Sequence, residues 1–216
     1  MFSVAATPPW SLWDGKDYKN MSDQDEAKFR MIEYHKWKFK AKIFSPLAPL
    51  TVKRTPVLMT RVEYGFLGSY NKYKKSPFET FYMGGDGMSG YSSTYATETI
   101  GLRGYENGSI AGNGGYNSYG YAYSRLSMEL RYPFLLEPSS TIYGLVFVEA
   151  GNAWRDLKDF NPFQLKRSAG VGVRIFLPMI GLMGIDWAYG FDRPDGYDQR
   201  GGSNFHFIIG QEFLEN

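Results

Sequence analysis

Residues alternate between two faces in seven segments of the chain. One of them, 141–153, is apolar on both faces up to Glu149. In the other six, one face is apolar and the other polar, which is the pattern of β-strands with two chemically different faces. In one of them, Trp37 and Phe39 share a face with two aliphatic residues, and the opposite face is a row of four lysines. A weaker segment at the start of the chain makes eight. The predicted strands are 2–7, 30–44, 57–68, 125–132, 141–153, 168–177, 183–192 and 205–213. The pattern predicts an all-β, antiparallel protein that forms one domain over residues 1–216.

The connections between these segments fall into two classes that alternate along the chain. Compact, proline-bearing connections lie at 45–56, 133–140 and 178–181, whereas longer, polar ones lie at 8–28, 68–118, 152–166 and 192–203. This alternation is typical of transmembrane β-barrels in the bacterial outer membrane, with long loops extracellular and short turns periplasmic. An even strand count would place both chain ends in the periplasm.

The composition favours a membrane barrel over a soluble sandwich, which would also need alternating strands. Aromatic residues make up 18% of the chain, yet the mean hydropathy is only -0.37, as expected when lipid-facing residues alternate with polar ones. Tyr132, Tyr189, Phe191 and Phe213 stand at strand ends, where barrels carry aromatic girdles. The formal charge of +2 argues against nucleic acid as a partner.

The longest connection, 68–118, contains the segment Gly101-Leu102-Arg103-Gly104-Tyr105. Two glycines around an arginine suit a tight turn that presents a guanidinium to carboxylates. Glu129 and Glu149 lie on the polar faces of consecutive strands. We therefore expect the loop to fold inward and Arg103 to bond both carboxylates, although two such carboxylates can also form a general acid and base pair.

Sequence motifs of enzymes and metal sites are weak or missing. No nucleophile motif or phosphate-binding loop occurs with the required context, and His35 and His206 lie far apart in the sequence. We expect no catalytic residue, no metal site and no cofactor.

Several of these segments, taken in order, resemble the BamA family of outer-membrane assembly proteins, also called the bacterial surface antigen family. Residues 102–105 resemble the Val-Arg-Gly-Phe/Tyr motif of a family loop that folds back into the barrel. Residues 147–151 resemble a Phe-x-Asp-x-Gly strand motif, with Glu149 in place of the aspartate, and 127–130 resemble the Ser-Leu-Glu-Phe stretch before it. Gly210 and Phe213 resemble the closing residues of the last strand, although three residues follow here.

The resemblance implies the C-terminal half of a sixteen-stranded barrel that inserts and assembles β-barrel proteins in the outer membrane. Its partners would be nascent β-barrel clients, accessory assembly lipoproteins and lipid. A weak seam would form at the last strand, through Phe205, Phe207, Ile209, Gly210 and Phe213, and POTRA repeats and eight further strands would be expected before Met1. Two alternatives remain: a polypeptide-exporting transporter of the same superfamily, and a small self-contained outer-membrane barrel.

Overall fold

The computed structural model describes residues 1–22, 25–49, 51–52, 54–87, 98–110, 119–137 and 139–210. Ten strands are found within these ranges. They are β1 (Phe2–Ala6), β2 (His35–Pro46), β3 (Val57–Gly68), β4 (Phe81–Met83), β5 (Glu98–Ile100), β6 (Ala122–Glu137), β7 (Ser140–Trp154), β8 (Lys166–Leu177), β9 (Gly181–Gly190) and β10 (Gly202–Gly210).

Eight of these strands form one antiparallel sheet in the order β1-β2-β3-β6-β7-β8-β9-β10. Each strand pairs with its neighbour in the sequence, except that β4 and β5 are set aside between β3 and β6. Among the described residues no ladder joins β1 to β10, so these strands are the two edges of the sheet. The prediction of an all-β, antiparallel fold with eight long strands is confirmed.

The two faces of the sheet have the burial of a membrane barrel rather than of a water-soluble sheet. On β7, Val146 and Val148 are 50% and 53% exposed, whereas Leu145, Phe147 and Glu149 on the other face are buried. The apolar face therefore points outward, and the face that carries charged residues points inward, as lipid on one side and a polar lumen on the other require.

Two predicted boundaries are wrong by five residues, for identifiable reasons. Strand β2 begins at His35 rather than at residue 30, because Arg30 is the C-cap of helix α2 (Glu26–Phe29, taking α1 as Trp10–Trp13) and residues 31–34 form no strand. At the start of α2, Asp25 accepts a hydrogen bond from the N–H of Ala27. Strand β6 continues through Pro133 to Glu137, where a turn was predicted. The register shifts between Pro133 and Leu135, and such a bulge tolerates a residue without an N–H donor.

The connection between β3 and β6 is folded against the inner face. Its strands β4 and β5 pair in parallel, and each has only three residues, too few to give a recognisable period. Phe81, Met83, Leu102 and Tyr105 from this connection pack with Tyr123 of β6 and other buried residues in the main apolar cluster. A 3₁₀ helix, Leu157–Asp159, follows β7. In the described part of the chain, no helix is both long and apolar enough to cross a membrane.

Candidate functional site

The segment 101–105 is held against the inner face by its backbone. Gly104 has a φ of 88°, and a Cβ placed there would lie 2.9 Å from the backbone nitrogen of Gly190 and from Cβ of Ser168. The position therefore requires glycine, both for its left-handed backbone and for the close approach to β8 and β9. The N–H of Gly104 donates to Nε2 of His206 on β10 at 2.9 Å, which ties the turn to the edge strand.

The guanidinium of Arg103 is buried and bonds three carboxylates from three strands. Its Nη2 donates to Oε1 of Glu129 at 2.6 Å and to Oε1 of Glu149 at 2.7 Å. Its Nη1 donates to Oδ2 of Asp186 on β9 at 2.9 Å. The backbone N–H of Arg103 also donates to Glu149, and its guanidinium stacks 3.5 Å from the ring centroid of Phe147. One loop side chain thus links β6, β7 and β9.

Each of these carboxylates is shared with a second arginine on the wall of the sheet. Arg131 donates to Glu129, Arg125 donates to Glu149, and Arg174 donates to Asp186, with shortest distances of 2.6, 2.9 and 2.5 Å. We call these four arginines and three carboxylates the Arg103 cluster. Burying such charges is tolerable only when they are paired and hydrogen-bonded, and here each has an opposite charge within hydrogen-bonding distance.

Space for this cluster comes from the small residues on the inner face of β8. A Cβ at Gly172 would collide with the carboxylate of Asp186, its cross-strand partner. Gly170 likewise leaves room for the ring of Phe147. The glycines of β8 therefore allow side chains from both neighbouring strands to converge on Arg103.

Tyr105 anchors the end of the motif at the rim of the sheet. Its hydroxyl donates to the carbonyl oxygen of Arg167 at 2.7 Å and accepts from the N–H of Asp192 at 3.3 Å. Burial raises the pKa of Tyr105 to about 12, so its hydroxyl stays neutral. The side chain of Arg167 bonds Asp192 and lowers the pKa of that carboxyl.

A second group of ion pairs joins the loop to the opposite part of the sheet. Nζ of Lys36 lies 2.9 Å from Glu98 of β5 and 3.0 Å from Glu79, and Nζ of Lys38 lies 3.0 Å from Glu98. Burial alone would raise the pKa of Glu98, but the two lysines outweigh it and the pKa is lowered. The described parts of the connection are therefore fixed to β2 as well as to β6, β7 and β9.

The sequence prediction placed the central residues together, and the structure adds partners that it missed. Residues 101–105 are buried, and Arg103 contacts both Glu129 and Glu149. Asp186, the wall arginines and His206 were not predicted as partners. Alternation alone is enough to place Asp186 and Arg174 on the polar face, but only the register shows that Asp186 is opposite His206.

Four of the five residues predicted for the seam lie on the edge strand β10. Phe205, Phe207 and Ile209 point outward and are 67%, 59% and 67% exposed, and Gly210 ends the strand. Phe213 lies outside the described residues. Within the described ranges, no group of three or more potential ligands could hold a metal ion. Nδ1 of His35 accepts a hydrogen bond from the indole N–H of Trp37.

Comparison with known proteins places the chain in a family. Residues 28–213 match the model of the Omp85 superfamily domain, and the chain belongs to that superfamily. This membership indicates the bacterial outer membrane as its location. No curated protein matches the chain.

A solved structure supports the same fold. The chain is similar to BamA from Haemophilus ducreyi, in a crystal structure lacking POTRA domains 1–3, with a TM-score of 0.56 and 21% identity. The match covers 81% of this chain and 34% of that one, so the chain spans about a third of the structure it resembles. The expected likeness to the C-terminal barrel half of BamA is confirmed.

Proposed function

We propose that this chain is the C-terminal part of an outer-membrane barrel that inserts and assembles other β-barrel proteins, with its long loops extracellular and its short turns periplasmic. Its partners would be nascent β-barrel clients, accessory lipoproteins and lipid. Membership of the Omp85 superfamily supports an assembly or transport role rather than catalysis.

The observation that carries this proposal is the link between the buried loop and the free edge of the sheet. Arg103 bonds three strands, and the next residue bonds His206 on β10. Strand β10 pairs with β9 on one side only, among the described residues. A strand with one unpaired side is a template for another strand, and a client can add to it through backbone hydrogen bonds.

In this mechanism the loop holds β10 in position while a client strand pairs with its free side. The outward Phe205, Phe207 and Ile209 would be in lipid, beside the apolar face of the incoming strand. Gly210 would weaken the end of the strand, since glycine has no side chain to pack and loses more backbone entropy when it is held extended. The resemblance to the BamA family implies that this step uses no nucleotide or cofactor.

The proposal is tested by reconstituting the intact protein in lipid vesicles and following the folding of an added β-barrel client. Arg103→Ala should lower the folding rate severalfold, whereas Arg193→Ala, which removes an exposed arginine of the 191–201 connection, should not. Unchanged client folding with Arg103→Ala would contradict the proposed role. Export of a polypeptide through the vesicle membrane, without client insertion, would instead support a transporter.

A further inference from the structure

A second site lies at the end of the sheet that carries the long connections. It is a cavity of about 930 Å³ built by three connections: the one between β1 and β2, the one between β3 and β4, and the one after β7. Tyr119 and Tyr121, which precede β6, complete its wall. No member of the Arg103 cluster lines it, so the cavity is separate from the proposed assembly site.

The charge of the cavity is strongly positive. Five basic side chains line it against two acidic ones. Lys75 is paired with Asp156 at 2.8 Å. In the part of the chain that the structure describes, Lys19, Lys72 and Arg155 form no ion pair with a carboxylate. Cations that line one cavity and have no carboxylate partner among the described residues favour an anionic ligand, because phosphate or carboxylate oxygens form strong charge-assisted hydrogen bonds with them.

The cavity is also rich in aromatic rings, five in all. The rings of Tyr119 and Tyr121 lie 6.1 Å apart, and the guanidinium of Arg155 lies 5.6 Å from the centroid of Tyr119. Nζ of Lys72 lies 4.8 Å from the centroid of Tyr73. Tyrosine offers an apolar face together with a hydroxyl, which suits a ligand that is apolar on one side and hydroxylated around its edge. The C–H face of a sugar ring has this character.

We propose that this cavity binds an anionic saccharide, a sugar that carries phosphate or carboxylate groups. The tyrosine rings would stack on the sugar, and Lys19, Lys72 and Arg155 would bond its charged groups. The volume lies within the range of about 300 to 1,000 Å³ that is usual for ligand sites. Only the source of the ligand rests on the proposed function: if the long loops are extracellular, sugar head groups of the outer leaflet lie beside this end of the barrel.

Binding is measured by calorimetry on the intact protein in detergent, without any client, so the result does not depend on the assembly role. The probe is a phosphorylated oligosaccharide from which the lipid has been removed, and a neutral oligosaccharide of the same length serves as its control. Lys72→Glu combined with Arg155→Glu should weaken binding at least about a hundredfold, since two charge-assisted hydrogen bonds to the ligand are lost and two negative charges are added beside it. The control is Lys158→Glu, which makes the charge change of one of these two substitutions three residues from Arg155 but outside the cavity, and should change the affinity less than about twofold.

The aromatic wall is tested separately from the charges. Tyr73→Ala should weaken binding severalfold, whereas Tyr73→Phe, which keeps the ring, should retain it; inorganic phosphate alone should bind far more weakly than the oligosaccharide. Equal binding of whole lipopolysaccharide and the lipid-free probe would identify the sugar as the recognised part, and binding of a uronic acid polymer would extend the site to free polysaccharides. Three results would overturn the proposal. The neutral sugar could bind with the same affinity as the phosphorylated one, or the probe could fail to bind protein that heat-modifiable migration shows to be folded. The third is a loss of affinity with Lys158→Glu equal to that of the double variant.

Discussion

Replacing Arg103 with methionine should release the loop from the inner face while the sheet itself stays folded. Deleting one member of a buried ion pair costs about 3 to 5 kcal/mol when the partner is left without a counter-charge. Here the three carboxylates keep Arg125, Arg131 and Arg174, so the expected cost lies at the lower end of that range. A loss of about 3 kcal/mol would raise the undocked fraction of the loop about a hundredfold.

The 216 residues of the chain contain no cysteine, so a cysteine introduced into the loop is the only thiol in this part of the intact protein. Ser109 is buried in the same connection, and Ser109→Cys is a small change. In the intact protein, a maleimide reagent should label this cysteine about a hundredfold faster with Arg103→Met than without it, and Arg193→Met should have no effect. Heat-modifiable migration on a denaturing gel reports whether the barrel is still folded.

Two results would refute this reasoning. If labelling were equally slow in Arg103→Met and Arg193→Met while the barrel remained folded, the Arg103 cluster would not hold the loop. If Arg103→Met abolished heat-modifiable migration, the cluster would be required for folding of the sheet rather than for docking of the loop.

Three further predictions use the same labelling assay. Combining Arg103→Glu with Glu149→Arg should not restore docking of the loop, because an arginine at 149 would face Arg125 and a glutamate at 103 would face two carboxylates. If the double variant were again protected from labelling, the ion pair between positions 103 and 149 would dominate the cluster. His206→Phe should speed labelling and His206→Gln should not, since only glutamine can accept the hydrogen bond of the turn; equal effects of both would show that the bond to β10 contributes nothing. Glu98→Gln should speed labelling at neutral pH. With Glu98 present, its lowered pKa should stabilise the docked loop above the ordinary pKa of about 4.3, and this stabilisation should be lost as the pH falls below that value. The same pH dependence of labelling in the Glu98→Gln protein would contradict this.

The long strands and their faces could be predicted from sequence because each rests on local information. Alternation assigns a residue to a face, so Glu129, Glu149 and Asp186 could all be placed inside the sheet. The distances between these carboxylates and Arg103 could not be predicted from alternation. Asp186 is 83 residues from Arg103, and only the pairing of β9 with β8 and β10 brings it to the guanidinium.

Other features were missed for different reasons. Strands β4 and β5 are too short for a period to be counted. They depend on tertiary contacts rather than on their own pattern, β4 with β6 and β7, and β5 through the ion pairs of Glu98 with β2. The extension of β6 past Pro133 was missed because proline usually ends pairing, and the bulge that accommodates it has no local signature. The start of α2 was detectable, since Asp25 stands at its first turn as a cap.

The Arg103 cluster also constrains the curvature of the wall. Strands β6 and β9 are separated by β7 and β8, so in a flat sheet their backbones would be about 14 Å apart at the usual strand spacing. One guanidinium nevertheless bonds Glu129 on β6 and Asp186 on β9. Side chains stand roughly perpendicular to a sheet, so their convergence on one guanidinium indicates that the sheet bends inward around it. The docked loop therefore fits one curvature of the sheet, and a wider barrel would pull Glu129 and Asp186 apart and break their ion pairs with Arg103.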